Sequence, residues 1–330
     1  MIHPIPPGTR DVLPDEMREL RRLHGAMLDV FESRGYGEVA TPAIEYDEVL
    51  AQGDGRTAAS AYRFFDERGD LLALRSDMTV PIARLVANRY ADAEPPLRLC
   101  YLANAFRAVR PQRGQMREFA QAGVELIGAA APGGTVEVIE VLEATLDAAG
   151  LRRAVIGLGD SDLFRQLLSE FGIEDRARDS LLGRLAAHDL VGLEVELSEL
   201  EGIGKKQVQT CLALAQLRGG KEVLEEARSL GGVAVERATA RIGETFEALE
   251  AGGAAERVQI DLGLLRDLGY YSGAILEVYD PALGHVLGGG GRYDRLLTRF
   301  GVDLPAAGFA LYLERVHVAQ MEEARGGGES

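Results

Sequence analysis

Apolar residues recur at intervals of three and four near the start of the chain. This spacing holds from residue 15 to residue 33 and places the apolar side chains on one face of a helix. The stripe consists of Met17, Leu20, Leu23, Met27 and Phe31. We therefore predict that the first long helix spans residues 15–33.

The segment EVATPAIEY, residues 38–46, has an extended pattern that Pro42 interrupts. Proline has no amide hydrogen to donate to a neighbouring strand. We therefore expect this segment to lie at the edge of a sheet or to bend at Pro42.

Further apolar runs, several bounded by turn residues, predict strands. They cover residues 71–75, 97–106, 118–127, 258–263 and 274–279. Helical spacing predicts helices over 79–89 and 136–149, the latter with Val138, Val141, Leu142 and Leu146 on one face. Strands follow strands without regular helical crossovers, so we expect an α+β fold with an antiparallel sheet flanked by helices.

Strand signals disappear between residues 163 and 250, where Leu, Ala and Glu dominate and glycines separate short helical patterns. Since strands resume after Val258, we interpret 163–250 as a helical insertion between two parts of one sheet domain, 1–162 and 251–330. The alternative is that these helices simply pack on the main core.

The composition narrows the class of protein. A hydrophobic content of 46% over 330 residues is ordinary for a globular chain, and no apolar run approaches the ~18 residues of a membrane span. The start of the chain lacks the pattern of a secretory signal. Cys100 and Cys211 lie far apart, so we expect a cytoplasmic protein without a structural zinc site. A net charge of −16 disfavours broad binding to nucleic acid.

Positive charge is concentrated in the segment FRAVRPQRGQMREFAQAGVELIG, residues 106–128. Pro111 would break a helix here, which favours a strand, a loop and a second strand. The four arginines, Arg107, Arg110, Arg113 and Arg117, would then form a local site for a carboxylate or phosphate.

Gln121 and Glu125 lie four residues apart in the second of these predicted strands, so both side chains point to the same face. Burying them would be costly unless they meet a polar ligand. The alternative is that this face is open to solvent.

Two more polar clusters could contribute to such a site. Asp77 and Thr79 follow a predicted strand, although Asp77 or Ser76 could instead cap the helix that has Pro81 in its first turn. Arg266, Tyr270 and Tyr271 precede a glycine turn, although tyrosines at such turns are often part of the core.

A run of glycines, Gly288–Gly291, permits close approach of the backbone to a ligand. It matches neither a phosphate-binding Walker loop nor a dinucleotide fingerprint.

In their order along nearly the whole chain, these segments resemble the histidyl-tRNA synthetases, which are class II aminoacyl-tRNA synthetases. PPGTRDVLPDE resembles the opening of that family, and GYGEVATPAIE resembles motif 1, its dimer-interface motif. FRAVRPQRGQMREFAQAGVE resembles motif 2 and the strand that reads histidine. LLRDLGYYSG resembles the histidine signature, and GFALYLERV resembles motif 3 with its arginine at Arg315.

The resemblance implies a histidine site and no metal or other cofactor. It implies that the histidine ammonium lies near Asp77, Thr79 and Gln121, and that Glu125 and Tyr271 read the imidazole with Tyr270 and Tyr293 nearby. It also implies that Arg107 and Arg266 face the carboxylate or an adenylate phosphate. These roles agree with the chemistry of the side chains.

The chain also departs from the synthetase pattern. Val109 stands where the family has the glutamate that reads adenine, Gly269 replaces an aspartate, and Gln115 replaces a basic residue. Residues 316–330, which follow Arg315, are too few for a domain of roughly 50 residues. We therefore expect no anticodon-binding domain and no binding of tRNA.

These departures are similar to those of one branch of the family, the regulatory subunits of ATP phosphoribosyltransferase, the first enzyme of histidine biosynthesis. That resemblance implies a subunit without catalytic residues that a short-form catalytic subunit requires for activity. It also implies feedback inhibition by histidine and a hetero-octamer built on synthetase-like dimers. Two alternatives stay open: a truncated histidyl-tRNA synthetase-like enzyme that activates amino acids, favoured by Arg107, Arg266 and Arg315, and a histidine-binding protein with another partner.

Overall fold

The computed structural model describes residues 4–53, 60–109, 116–266, 269–281 and 283–326. The predicted first helix is present as α1, Pro14–Ser33. Its residues Leu20, Leu23, Met27 and Phe31 are buried, which confirms the apolar stripe. Met17 is 38% exposed and lies outside the core.

The bounds of the remaining helices and of the strands are as follows. The later helices are α2 (Asp47–Ala51), α3 (Thr79–Arg89), α4 (Gly133–Ala148), α5 (Leu163–Glu170), α6 (Asp175–Ala186), α7 (Leu190–Glu199), α8 (Lys205–Gln216), α9 (Glu222–Leu230), α10 (Val233–Gly252) and α11 (Leu313–Gly326). The strands are β1 (Gly37–Glu38), β2 (Ile44–Tyr46), β3 (Arg63–Phe65), β4 (Leu71–Leu74), β5 (Leu97–Phe106), β6 (Glu118–Ile127), β7 (Val155–Asp160), β8 (Arg218–Gly219), β9 (Val258–Asp261), β10 (Ala274–Tyr279), β11 (Val286–Arg292) and β12 (Ala306–Tyr312). A 3₁₀ helix covers Leu297–Phe300.

The main sheet has nine strands in the order β1-β5-β6-β12-β11-β10-β7-β9-β8. Adjacent strands are antiparallel except for two parallel pairs, β1 with β5 and β7 with β9. This arrangement confirms the predicted α+β fold. The last strand, β12, lies between β6 and β11 near the middle of the sheet.

The segment around Pro42 is divided between two sheets. Before the proline, β1 forms an edge of the main sheet, and after it β2 joins the small sheet β2-β4-β3. The prediction that this segment lies at an edge or bends at the proline is confirmed.

Several strands carry no clear strand signal in the sequence. The missed strands are β3, β7, β8, β11 and β12. Most of β11 is the glycine run Gly288–Gly291, and glycine lacks the side chain that makes a strand pattern visible. Cross-strand pairing on both sides holds β11 in place despite this composition.

The segment 163–250 is helical except for β8, which pairs with β9 at the edge of the main sheet. Its contact with the turn after β9 is close, because a Cβ at Gly263 would collide with the carbonyl oxygen of Ala215. Arg241 on α10 also forms an ion pair with Asp160 at the end of β7. Apolar residues of these helices share one core with α1, α4 and the sheet.

A second apolar cluster lies where α3 packs beside the sheet and the 3₁₀ helix. It includes Met78, Ile82, Tyr101, Tyr270 and Tyr293. Polar side chains border this cluster, and they form the site described next.

Candidate functional site

Gln121 and Glu125 point to the same side of β6, and both are buried, with exposures of 4% and 1%. Their shared orientation confirms the prediction from their even spacing. The alternative that this face is open to solvent is wrong, because Thr79 of α3 and the tyrosines Tyr270 and Tyr271 lie around the same two side chains. Two buried polar side chains on one sheet face therefore require polar partners.

The structure brings all the predicted site residues together around one cavity, which we call the inner cavity. These residues are Asp77, Thr79, Arg107, Gln121, Glu125, Arg266, Tyr270, Tyr271 and Tyr293. Their role as histidine ligands remains a prediction.

Glu125 lies at one end of the inner cavity and accepts two hydrogen bonds. Thr79 Oγ1 donates to its Oε1 at 2.8 Å, and the Tyr293 hydroxyl donates to its Oε2. Burial, together with the negative charge of Asp77, raises the pKa of Glu125 to about 8, although both hydrogen bonds oppose the rise. Near neutral pH this carboxyl can therefore hold or release a proton.

Asp77 was predicted as a possible N-cap; it lies one residue before the observed N-cap, but its side chain does bond the first turn of the helix. Its Oδ1 accepts a hydrogen bond of 3.2 Å from the Val80 amide in the first turn of α3, where Pro81 also lies. The N-cap position itself is Met78, which makes no side-chain cap bond. Asp77 is 5% exposed and also lines the inner cavity, so the two interpretations of this residue are compatible.

Two arginines lie at the other end of the inner cavity. Arg107 donates through Nε to Ser76 O at 3.2 Å, and Arg266 donates through Nη1 to Leu276 O at 3.1 Å. The side chain of Arg266 lies against Gly289, where a Cβ would collide with its guanidinium. The glycine run therefore makes room for an arginine that faces the cavity.

Tyrosines and an amide complete the wall. The rings of Tyr270 and Tyr271 are 4.9 Å apart, and Tyr270 meets Tyr293 edge to face at 6.0 Å. Gln121 Oε1 is buried and has no hydrogen-bond partner among the described residues. An acceptor in that position suits a donor on a ligand, such as an ammonium group.

The inner cavity is polarised, with the Glu125 carboxyl at one end and the guanidinium groups of Arg107 and Arg266 at the other. Asp77 follows Ser76, whose carbonyl oxygen accepts the hydrogen bond from Arg107. Such an arrangement suits a small zwitterion that also carries a hydrogen-bonding ring. The cavity is also narrow, with a free volume of about 30 Å³, whereas about 10–15 Å³ holds one water molecule. An amino acid can therefore enter only if side chains of the wall move outward.

A larger outer cavity of about 430 Å³ adjoins the inner one. Its lining is largely apolar and includes Val109, Met116 and Phe119, with Arg315 at its side. Arg117 donates through Nε to Val109 O at 3.1 Å and lines neither cavity. Arg110, Arg113 and Gln115, which the sequence predicted to lie in a loop, fall outside the described residues.

Some lining residues were not predicted. Tyr101 lies on β5 opposite Gly123, and Leu99 and Ala103 on the same strand lie opposite Glu125 and Gln121. Counting every second residue of β5 could therefore have found Tyr101. Tyr312, at the end of β12, also lines the cavity, and its strand carried no clear signal.

No helix within the described ranges is both long and apolar enough to cross a membrane. Over the same ranges, no group of three or more His, Cys, Asp or Glu side chains is placed to hold a metal ion.

Comparison with known proteins places the fold in a family. The family model for histidyl-tRNA synthetase matches residues 8–316. A protein of Moorella thermoacetica called ATP phosphoribosyltransferase regulatory subunit is 44% identical over 324 residues, which is 97% of this chain and 82% of that protein. A protein of the same name from Rubrobacter xylanophilus is 41% identical over 94% of this chain and 75% of its own length.

Solved structures of this family have the same fold as this chain. An ATP phosphoribosyltransferase regulatory subunit/histidyl-tRNA synthetase from Bacillus halodurans superposes with a TM-score of 0.87 and 34% identity, covering 97% of this chain and 84% of that one. A histidyl-tRNA synthetase from Nostoc, 23% identical with a TM-score of 0.81, shares the fold over 98% of this chain and 76% of its own.

Proposed function

The chain belongs to the histidyl-tRNA synthetase-like family of ATP phosphoribosyltransferase regulatory subunits, and we propose that its inner cavity binds free histidine to control a separate catalytic subunit. Glu125 carries this proposal. It is a buried carboxyl with a pKa near neutrality that can pair with an imidazole ring. Arg107 and Arg266 at the opposite end supply the counter-charge for a carboxylate.

In this arrangement the histidine ammonium meets Asp77 and the unpartnered oxygen of Gln121. The imidazole lies between Glu125 and the tyrosine rings. Histidine must also favour one state of the assembly over another, because a ligand shifts an equilibrium only by its difference in affinity for the two states. The narrow cavity supports such a difference, since a bound amino acid requires a wider arrangement of the wall.

The catalytic subunit is expected to be a short form that needs this chain for activity. The test is reconstitution of the purified chain with such a subunit, with and without histidine. We expect the catalytic rate to rise when the chain is added and to fall when histidine is added. A catalytic subunit that is equally active alone would contradict the requirement for this chain.

Glu125→Ala separates binding of histidine from assembly. We expect this variant to activate the catalytic subunit normally and to lose most of its sensitivity to histidine. Glu118→Ala is the matched control, because Glu118 lies on the same strand with an exposed side chain that bonds Asn104. Inhibition of the Glu125→Ala complex at unchanged histidine concentrations would mean that histidine acts at another site.

Self-association forms part of the proposal, with the small sheet as the contact surface. Ile44, Tyr46 and Phe64 lie on one face of β2-β4-β3 and are 47%, 49% and 37% exposed. An uncovered apolar sheet face is a typical interaction surface. Dimers formed there would provide the core of a hetero-octamer, whose mass native mass spectrometry can measure.

One observation favours a second function. Arg107, Arg266 and Arg315 all lie near the inner and outer cavities, as an enzyme that activates amino acids with ATP would require. Histidine-dependent exchange of pyrophosphate into ATP by the purified chain would establish that activity. We expect no exchange, because Val109 offers the adenine amino group no hydrogen-bond acceptor in its side chain.

A further inference from the structure

The inner and outer cavities meet at the side chain of Tyr312. Among the described residues, only Arg107 and Tyr312 line both cavities. Tyr312 is the last residue of β12 and lies opposite Gln121 in the ladder with β6. Its hydroxyl accepts a hydrogen bond from Arg107, so the ring lies at the arginine end of the inner cavity.

Contacts on several sides hold the Tyr312 ring in place. Phe119 meets it edge to face with ring centroids 5.3 Å apart, and the Arg315 guanidinium lies 4.4 Å from its centroid. Arg107 Nη1 donates a hydrogen bond of 3.3 Å to the Tyr312 hydroxyl. The fixed ring therefore lies between the two cavities, together with the Arg107 side chain.

Positive charge converges on this ring. Burial alone would raise the pKa of the Tyr312 phenol, but the charges of Arg107, Arg266 and Arg315 outweigh it and lower the pKa to about 8. The same charges attract a ligand carboxylate to this end of the inner cavity. A carboxylate held there would lie against Tyr312, with the outer cavity on the far side of the ring.

We propose that Tyr312 determines which amino-acid derivatives the inner cavity accepts: its ring closes the carboxylate end, so that a free carboxylate fits and a carboxyl group bearing a bulky substituent does not. This inference rests on the proposed binding of histidine in the inner cavity. It also explains how Arg107, Arg266 and Arg315 can be present in a chain that does not activate amino acids. An amino acid in the inner cavity and a phosphate group in the outer cavity stay on opposite sides of the ring.

The experiment compares two esters that carry the same charge and differ in bulk, L-histidine methyl ester and L-histidine benzyl ester. Their dissociation constants are measured by calorimetry, alongside free L-histidine, on the full chain and on the variants Tyr312→Ala and Tyr312→Phe. The ratio of the two ester affinities isolates the effect of bulk, because both esters lose the same contact between carboxylate and arginine. Circular dichroism and thermal melting establish that each variant is folded.

We expect the native chain to bind the benzyl ester about 10- to 100-fold more weakly than the methyl ester, the range expected for forcing bulk into a packed site. Tyr312→Ala should bring the two affinities within a few-fold of each other, and Tyr312→Phe should keep the native ratio, since it keeps the ring. Equal binding of both esters by the native chain, or an unchanged ratio in Tyr312→Ala, would overturn the role of Tyr312. Failure of free histidine itself to bind would instead contradict the proposed function.

Discussion

Gly308 lies directly opposite Glu125 in the antiparallel ladder between β12 and β6. A Cβ at this glycine would collide with the Glu125 carboxylate and with the carbonyl oxygen of Val124. The site at Glu125 therefore depends on the absence of a side chain on the neighbouring strand.

The first prediction concerns Gly308→Ala. The added methyl group should displace the Glu125 carboxyl and lower the free energy of unfolding by about 1–3 kcal/mol, the usual cost of overpacking. Histidine binding, measured by calorimetry, should be lost or greatly weakened. Gly25→Ala in α1 is the control, because a Cβ there meets no atom within 4 Å. Native histidine affinity in Gly308→Ala would show that the Glu125 geometry is not required.

The second prediction concerns pH and Glu125. Its pKa in the folded chain, about 8, lies above the ordinary value of 4.5. A raised pKa means that the folded state favours the protonated carboxyl. The contribution of Glu125 to the free energy of unfolding is therefore fully present below pH 4.5, and it is lost as the pH rises toward 8. Glu125→Gln removes this titration, so its stability relative to the native chain should increase across that window.

Urea unfolding of both proteins at a series of pH values measures the difference. Titrations of other groups largely cancel, because the two chains share them. A difference in the free energy of unfolding that does not change between pH 4.5 and 8 would contradict the raised pKa.

The sequence predicts those elements whose apolar residues recur with a clear period, and it misses those that lack such a period. The long strands β5 and β6 and the helices α1, α3 and α4 have strong apolar periodicity, and they form as predicted. The nine predicted site residues all line one cavity. Alternation along β6 predicted the shared face of Gln121 and Glu125, and the order of the family's motifs predicted that the other seven join them. The strand β11 was missed because four consecutive glycines have no periodic pattern, and its neighbours determine its conformation.

Tyr312 was missed for a different reason. Nothing in its own segment indicates that its ring will lie between two cavities, because both cavities are formed by distant parts of the chain. The two-residue strand β8 likewise depends on pairing with β9 rather than on its own composition.

The third prediction tests the junction between the helical segment 163–250 and the sheet. Asp160 has no exposed side-chain surface, and both of its carboxylate oxygens accept from Arg241, at 2.8 and 2.9 Å. Arg241→Ala leaves this carboxylate buried without its cation, so we expect a loss of about 3 kcal/mol in the free energy of unfolding. Chemical denaturation measures the loss, and Lys221→Ala, which removes an exposed ion pair with Glu247, should change stability little.

If the two variants unfold at the same denaturant concentration, the Asp160–Arg241 pair does not hold the helical segment to the sheet. Calorimetry of the Arg241→Ala variant should still detect histidine binding, because neither residue lines the inner cavity.

The fourth prediction concerns self-association. Phe64→Glu places a charge on the apolar face of the small sheet, and burying that charge in a dimer would be costly. We expect sedimentation velocity to show a shift from dimer toward monomer. Val191→Glu, at a 75% exposed position on α7, is the matched control and should leave the mass unchanged. A dimer that persists in Phe64→Glu would locate the contact elsewhere.

The central position of β12 has a consequence for how the chain folds during translation. The inner cavity takes side chains from residues as distant as Asp77 and Tyr312, and its floor is incomplete until β12 enters between β6 and β11. During translation β6 and β11 must wait, with their central edges unpaired, until β12 has also left the ribosome. Under the proposed function, histidine can therefore bind and stabilise only those molecules in which β12 has joined the sheet.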